Sequence, residues 1–281
     1  MHLSYLYTPA MRVDALIKNR HSLLAQIVVV DMEDSTHLKM KAEARAKIAG
    51  FDFSPLVELG IEVALRINAI STYDGIHDLE LVRSLLSKQG CPIRTVLLPM
   101  VRDRSELRIY RSLFNTLPIV PRLFSFIETI DAVEDADAIA ASSDGLCFGQ
   151  ADLMSTMYSA NDTFVNYARA RLCVAAAKYK IPAIDTNSFE VSDMAKFEME
   201  CVAAKGYGFT GKAAIHPNQV PEINRVFSVS EETISRYQSI VNAYFDSEAG
   251  FFFKDGEIVA PPFVAKARHM LDFYKRCMGP K

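Results

Sequence analysis

The hydrophobic positions of the chain fall into eight short runs, separated by longer segments in which apolar and polar residues recur at helical spacing. Nearly every residue in the runs is apolar and many are β-branched, which is typical of strands buried on both faces. Helices between such strands indicate parallel crossovers. The predicted strands lie at residues 4–8, 26–32, 62–68, 94–99, 120–128, 145–150, 182–186 and 212–217, and helices at 36–48, 78–88, 104–114, 164–180 and 193–205.

This alternation predicts a single (β/α)8 TIM barrel, because about eight parallel strands close on themselves within roughly 250 residues. The absence of a Gly-rich dinucleotide fingerprint after the first strand favours the barrel over the alternative, an open doubly wound sheet. We expect a barrel core at residues 1–220 and a C-terminal helical extension at 221–281 that caps the barrel or reaches a neighbouring subunit. The extension is predicted to contain a helix at 221–245, a turn at 253–256 and a helix at 262–278.

The amino-acid composition and net charge of the chain exclude several classes of protein. Half of the 281 residues are hydrophobic, and the formal net charge is only −3, with acids and bases scattered along the chain. This pattern lacks the electrostatic footprint of a protein that binds nucleic acid or an anionic membrane. No signal peptide or membrane-spanning run is evident, so we expect a cytosolic protein. The five cysteines are far apart and predict buried thiols rather than disulfides or a zinc site.

Polar residues recur where the predicted strands end, which is where a barrel carries its active site. Taken singly, each has a simpler interpretation as the N-cap of the next helix. Asp34, Asn68 and Asp185 fit that interpretation best, and His216 fits a structural role. Taken together, the set predicts an active site. Its members are the acidic stretch Asp31-Met32-Glu33-Asp34, then Arg66, Asn68, Glu128, the turn Gly149-Gln150-Ala151-Asp152, Asp185 and His216.

Two carboxylates in this set indicate a metal site. Glu128 ends the predicted fifth strand and Asp152 follows the sixth, so the two side chains should converge at the barrel mouth. Adjacent carboxylates repel each other unless a cation lies between them. Hard oxygen ligands without a His/Cys cluster favour Mg²⁺, which Mn²⁺ can replace.

Arg66 carries a permanent charge at the end of a buried strand and therefore needs an anionic partner. One interpretation is a structural salt bridge to Asp31 or Glu33, and the other is binding of a substrate carboxylate or enolate. The two are compatible, because an acid can hold one edge of the guanidinium while the other edge faces a ligand. The backbone N–H groups of the 149–152 turn offer a second place for a carboxylate.

At this point the sequence resembles the citrate lyase β-subunit-like family, which belongs with the class II hydroxy-diacid aldolases to the phosphoenolpyruvate/pyruvate-type barrels. The similar motifs occur in family order, about one per strand, from residue 4 to residue 220. They are SYLYTP at 4–9, VVVDMEDS at 28–35, ALRIN at 64–68, FIET at 126–129, GQADL at 149–153 and GFTGKAAIHPNQV at 208–220.

The resemblance implies a Mg²⁺-dependent carbon–carbon lyase that works through a metal-stabilised enolate. It implies that Glu128 and Asp152 bind Mg²⁺ and that Arg66 binds a substrate or enolate oxygen. The amides of Gly149, Gln150 and Ala151 would hold the substrate carboxylate. Asp31, Glu33 and Asp34 match the stretch that supplies a base in the related aldolases, with Asp34 where those carry His, and Asp34 or Glu33 is the expected base.

Three functions remain open at this stage. The first is cleavage of a 3-hydroxyacyl thioester of coenzyme A, the second is aldol chemistry on free 2-oxo and hydroxy acids, and the third is ligand binding without turnover. Leu3, Met100 and Ala260 stand where coenzyme A-using relatives commonly have Arg, Lys and Asp, and these departures weaken the first function. The resemblance also implies a homo-oligomer, either a trimer or a hexamer.

Overall fold

The computed structural model describes residues 2–158 and 162–278 of the chain. Eight parallel strands close into a barrel in which each strand pairs with the next one and the eighth pairs with the first. The predicted (β/α)8 barrel is therefore confirmed. The strands are β1 (Ser4–Pro9), β2 (Ile27–Asp31), β3 (Glu62–Arg66), β4 (Ile93–Leu98), β5 (Arg122–Ile127), β6 (Gly145–Phe148), β7 (Ala183–Asp185) and β8 (Gly211–Ala214).

Helices connect consecutive strands of the barrel, so the carboxyl ends of all eight strands face the same rim. Short 3-10 turns at 10–12, 20–22 and 38–40 supplement them. The helices of this part of the chain are α1 (Val13–Lys18), α2 (Lys41–Ala49), α3 (Ser54–Val57), α4 (Tyr73–Leu86), α5 (Arg104–Phe114), α6 (Ile130–Glu134), α7 (Ala136–Ala140), α8 (Gln150–Ser155), α9 (Asp162–Tyr179), α10 (Met194–Tyr207) and α11 (Gln219–Phe227).

The barrel interior is filled by side chains from successive strands. A cluster of buried residues includes Tyr5, Val29, Phe124 and Ile184, with Tyr7 packed against it towards the rim. Gly145 makes room for the Phe124 ring, since a Cβ at this position would lie 2.6 Å from it. The interior is thus a packed core whose upper layer forms the floor of any site at the rim.

The chain forms two compact units, Ser4–Val226 and a smaller one made of the described parts of residues 1–3 and 227–281. The smaller unit contains α12 (Glu231–Phe245), a hairpin of β9 (Phe252–Lys254) and β10 (Glu257–Val259), and α13 (Pro261–Met278). Asp255 and Gly256 have positive φ angles of 52° and 81°, which suits a two-residue hairpin turn. Its core includes Ile240, Val259 and Val264.

The single helix predicted at 221–245 is wrong, because two helices, α11 and α12, cover this range. The break falls at residues 228–230, where the Ser230 hydroxyl accepts a hydrogen bond from the Thr233 amide at 3.2 Å and caps α12. A serine that binds a backbone amide three residues ahead starts a new helix rather than continuing the old one. The apolar periodicity of the sequence continues on both sides of the break, so the sequence pattern does not indicate it.

Two further expectations can be compared with the described residues. Cys91, Cys147, Cys173 and Cys201 are free and buried, as predicted, whereas the side chain of Cys277 lies outside the described part. Within residues 2–158 and 162–278, none of the helices combines the length and the apolar character that crossing a lipid bilayer requires.

Two helical glycines provide a test of the packing next to the β3–α4 loop. A Cβ at Gly75 would lie 1.9 Å from the carbonyl oxygen of Ala69, whereas a Cβ at Gly206 would have no neighbour within 4 Å. We expect Gly75→Ala to lower the free energy of unfolding by at least about 2 kcal/mol, because the backbone must move. Gly206→Ala should raise it by roughly 0.5–1 kcal/mol through helix propensity.

Urea unfolding of both variants, followed by far-ultraviolet circular dichroism, measures the difference. Equal effects of the two substitutions would contradict the close approach of α4 to the β3–α4 loop.

Candidate active site

A cavity of about 330 Å³ opens at the carboxyl ends of the barrel strands. It brings together most of the residues that the sequence predicted for the site, whereas Glu33 stays just outside the lining and contacts Arg66 instead. The charged lining comprises Asp31, Asp34, Arg66, Glu128, Asp152 and Asp185, and Gly149, Gln150 and Ala151 contribute as well. Tyr7, Phe126, Phe148 and Ile184 form an apolar wall.

A buried ion pair between neighbouring strands organises one side of this cavity. Arg66 ends β3 and is the register partner of Asp31 at the end of β2. Its Nε donates to Asp31 Oδ1 at 2.8 Å, and its Nη2 donates to Asp31 Oδ2 at 2.7 Å. The amides of Glu33 and Ser35 donate to the same carboxylate. Burial opposes ionisation of Asp31, but Arg66 and these hydrogen bonds outweigh it and lower the pKa of the carboxyl.

The third guanidinium nitrogen of Arg66 contacts two more carboxylates, and the guanidinium also lies over two aromatic rings. Nη1 lies 2.7 Å from Glu33 Oε2 and 3.3 Å from Asp34 Oδ2. The guanidinium carbon lies 5.3 Å from the ring centroid of Tyr7 and 5.7 Å from that of Phe126. The structure therefore contains the salt bridge that the sequence suggested, and Arg66 still lines the cavity with 11% of its side chain exposed.

Glu33 and Asp34 differ in their surroundings although they are adjacent in the chain. Burial raises the pKa of Glu33 to about 7; Arg66 opposes this rise, and neighbouring carboxylates, Asp34 foremost, add to it. The side chain of Asp34 is 62% exposed and lines the cavity. A carboxyl group that exchanges its proton near neutral pH beside a guanidinium is suited to general base catalysis.

Glu128 follows β5 and is buried beneath the cavity. Its Oε1 accepts a hydrogen bond of 2.6 Å from the amide of Met100, a residue held at a φ of 55°. Gly149 lies against the second carboxylate oxygen of Glu128, since a Cβ at residue 149 would be 2.0 Å from Oε2. Burial raises the pKa of Glu128 well above its ordinary value, and the charges of Glu33 and Asp152 raise it further.

Asp152 lies in the first turn of α8, half-buried at the cavity wall. Burial raises its pKa, and the charge of Asp34 adds to the rise. The pair Glu128 and Asp152 therefore carries negative charge that burial disfavours, and a hard divalent cation between them would relieve that cost. Among residues 2–158 and 162–278, no group of three or more His, Cys, Asp or Glu side chains is arranged to hold a metal.

The N-cap interpretation of three strand-end residues is wrong. Asp34 contacts Arg66, Asn68 binds buried neighbours, and Asp185 forms a buried ion pair. The residues that cap the corresponding helices are Thr72 for α4 and Asp193 for α10, whose side chains accept backbone hydrogen bonds. These three residues therefore serve the barrel rim, and the caps of α4 and α10 come later in their loops.

A buried lysine, which the sequence did not single out, supports the acidic loop after β2. Lys41 Nζ donates to the carbonyl oxygens of Met32 at 2.9 Å and Glu33 at 2.7 Å. It also donates to Asn68 Oδ1 at 2.7 Å, while Asn68 Nδ2 donates to Asp78 Oδ2 at 2.6 Å. The loop that carries Glu33 is therefore fixed to α2 and to the end of β3.

Two cations beside Asp185 were also missed, because each looks like part of an ordinary strand or helix. Lys212 lies inside β8 and donates to Asp185 Oδ2 at 2.5 Å and to the carbonyl oxygen of Thr186 at 2.8 Å. Arg169, on α9, lies 3.3 Å from Asp185 Oδ1 and donates to Gln150 Oε1 at 3.0 Å. A lysine in an otherwise apolar strand was the available signal, since a buried cation requires an anion.

The turn after β8 is structural. Gln219 is buried; its Oε1 accepts from the His216 amide at 3.2 Å, and its Nε2 donates to the carbonyl oxygens of Ser188 and Glu190. His216 itself is exposed, and its Nδ1 accepts a local hydrogen bond from the Asn218 amide. His216 does not line the cavity, so a structural role for it stays a prediction.

Comparison with known proteins places the chain among similar barrels. Human (Homo sapiens) mitochondrial citramalyl-CoA lyase is 26% identical over 94% of this chain and 83% of its own length. The solved structure of RipC from Yersinia pestis is 32% identical, covers 83% of this chain and 98% of its own, and has a TM-score of 0.70.

A structure of CitE from Mycobacterium tuberculosis in complex with magnesium, acetoacetate and coenzyme A shares the fold. Its TM-score is 0.74 at 24% identity, and the match covers 97% of this chain and 98% of the other. The model of the HpcH/HpaI aldolase/citrate lyase family matches residues 4–217, which span the barrel and every residue of the cavity described above. The chain belongs to the HpcH/HpaI aldolase/citrate lyase family.

Proposed function

We propose that this protein is a Mg²⁺-dependent carbon–carbon lyase acting on a small hydroxy acid or its coenzyme A thioester. The observation that carries the proposal is the convergence of Glu128, Asp152 and Arg66 on one cavity at the barrel rim. Relatives support it: the human relative is named a citramalyl-CoA lyase, and the mycobacterial CitE structure contains magnesium, acetoacetate and coenzyme A.

Glu128 and Asp152 would hold the metal. Both are oxygen ligands, both line the cavity, and burial raises the pKa of each, so that a divalent cation would favour their ionised forms. Mn²⁺ meets the same requirements. When bound, the metal supplies Lewis-acid stabilisation of negative charge on substrate oxygens.

Arg66 would bind the substrate or enolate oxygen. Two of its nitrogens are held by Asp31, which fixes the plane of the guanidinium against the Tyr7 and Phe126 rings. A cation positioned in advance stabilises developing charge without reorganising. The amides of Gly149, Gln150 and Ala151 would receive the substrate carboxylate on the other side of the cavity.

Proton transfer is assigned to the acidic loop. In the cleavage direction a base removes the hydroxyl proton, the C–C bond breaks, and its electron pair forms the enolate of the departing fragment. Of the three acids, Asp31 is occupied by Arg66 and by two amides, which suits positioning rather than proton transfer. Glu33, with its pKa of about 7, and Asp34, which lines the cavity, are the candidate bases.

The substrate class separates the two catalytic alternatives. A 3-hydroxyacyl-CoA would be cleaved to a 2-oxo compound and an acyl-CoA, whereas a free hydroxy acid would release a 2-oxo acid without a thioester. Leu3, Met100 and Ala260 are the departures that favour the free acids, whereas Asp34 in place of His favours the thioester. In this structure the amide of Met100 donates to Glu128. Incubation with Mg²⁺ and either citramalyl-CoA or free hydroxy acids, followed by mass spectrometry of the products, decides between them.

We expect Mg²⁺ to bind more tightly as pH rises. Burial raises the pKa of Glu128 and Asp152 in the metal-free protein, so protons must leave before or as the metal binds. Calorimetric titration in two buffers of different ionisation enthalpy should reveal proton release. Glu128→Gln and Asp152→Asn should abolish binding, and unchanged binding in both variants would remove these residues from the metal site.

We expect Arg66→Lys to lose activity by about 100-fold or more, because an ammonium cannot reproduce a planar fork beside the substrate. Arg45→Lys is the matched control, since Arg45 also pairs with two carboxylates, Asp74 and Asp78, but lies outside the cavity lining. Steady-state rates and melting temperatures should be measured together. A stability loss that accounts for the rate loss of Arg66→Lys would assign it a structural role only.

We also propose a homo-oligomer, trimeric or hexameric as the family resemblance implies. Phe251 and Phe253 lie with ring centroids 5.7 Å apart and have exposed fractions of 59% and 66%. Apolar surface of this kind commonly marks an interface. Light scattering at micromolar concentration should give a multiple of the 31.4 kDa chain mass, and Phe251→Ser with Phe253→Ser should reduce it. A monomeric wild-type protein would contradict the proposal.

A further inference from the structure

Arg169 connects three elements beside the proposed metal site. It lies on α9, and its Nη2 donates to the side chain of Gln150, the first residue of α8, at 3.0 Å. The same nitrogen lies 3.3 Å from Asp185 at the end of β7. Asp152, the proposed metal ligand, is two residues beyond Gln150 in the first turn of α8. The hydrogen bond from Arg169 is therefore made to the same helical turn that carries Asp152.

Apolar packing contributes little to holding α8 in place. The helix has six residues, and Leu153 is its one buried residue. Gln150, Ala151 and Met154 instead border a second cavity of about 510 Å³, which Arg169 also lines. Because Leu153 is the one buried residue of this short helix, the polar contact at its first residue is an important restraint on its orientation.

The guanidinium of Arg169 is itself held in a fixed place. Its central carbon lies 5.5 Å from the ring centroid of Phe148, 5.6 Å from that of Tyr207 and 6.0 Å from that of Phe209. Aromatic rings attract a guanidinium through their faces and restrict its movement. Because the guanidinium is confined in this way, it can hold its hydrogen-bond partner Gln150 in a fixed position.

Arg169 shares its anionic partner with a second cation. Asp185 on β7 lies between Arg169 on α9 and Lys212 on β8, whose Nζ is 2.5 Å from Asp185 Oδ2. Asp185 also lines the first cavity. This buried network therefore extends from the first cavity, which Asp185 lines, to the second, which Arg169 and Lys212 line.

We propose that Arg169 is a positioning residue for the metal site: by holding Gln150 it orients the first turn of α8 and thereby the carboxylate of Asp152. The inference rests on the proposed function, because it assigns Asp152 to a metal. Residues that orient metal ligands affect metal affinity by about 10- to 100-fold. Arg169 itself does not line the cavity that contains Glu128, Asp152 and Arg66.

Calorimetric titration of the full-length protein with Mg²⁺ tests this role. Arg169→Met should weaken Mg²⁺ binding about 10-fold or more. Arg171→Met is the matched control, because Arg171 lies on the same helix and donates to the Glu134 carbonyl oxygen, away from α8. It should change the affinity less than about twofold.

Gln150→Ala keeps the buried charges in place and removes the hydrogen bond from Arg169, together with the 3.6 Å contact of Gln150 Nε2 with Met154 Sδ inside α8. This variant tests the proposal if Arg169→Met fails to fold. Its melting temperature should match the wild type while its Mg²⁺ affinity falls. The double variant should bind no more weakly than Arg169→Met, because both changes break the same contact.

The outcomes separate this inference from the proposed function. Wild-type protein that shows no Mg²⁺ binding overturns the metal assignment and this inference with it. Wild-type protein that binds Mg²⁺ while Gln150→Ala and Arg169→Met bind it equally well overturns the positioning role alone. Affinity losses that simply follow the loss of thermal stability, or that also appear in Arg171→Met, overturn it too.

Discussion

The electrostatic repulsion among acidic side chains at the barrel rim is the constraint on which the site depends. Asp31, Glu33 and Asp34 are within reach of Arg66, and that cation lowers the pKa of Asp31 while burial raises the pKa of Glu33 to about 7. Glu128 is buried farther along the rim, where the charges of neighbouring carboxylates add to the rise of its pKa. This arrangement favours a divalent cation, because the cation neutralises negative charge that the fold has concentrated.

The surrounding residues serve mainly to hold these charges in place. Lys41 fixes the acidic loop through two carbonyl oxygens, and the Met100 amide binds Glu128. Gly149 lets α8 begin directly against the Glu128 side chain, and Arg169 holds the other side of that turn. Charged groups on a rim of loops need such support, since loops alone rarely keep a site within the tolerance that catalysis requires.

The fold and the main acidic residues were predictable because their signals are local. Strands buried on both faces appear as unbroken apolar runs, and the acids appear where those runs end. The cap interpretation of Asp34, Asn68 and Asp185 failed because a local pattern cannot show which cation lies across the rim. The break at Ser230 was missed for a related reason, since helical periodicity continues on both sides of it.

The sequence by itself determined the barrel, the strand ends that carry carboxylates and the resemblance to a lyase family, because these depend on residue order along one chain. Tertiary structure decided that Arg66 is shared among three acids and that Lys212 and Arg169 flank Asp185. Arg169 meets Phe148 and Asp185 because β6 and β7 lie side by side and α9 packs against them. Such contacts depend on how the strands pair and where the helices pack, which residue order alone does not show.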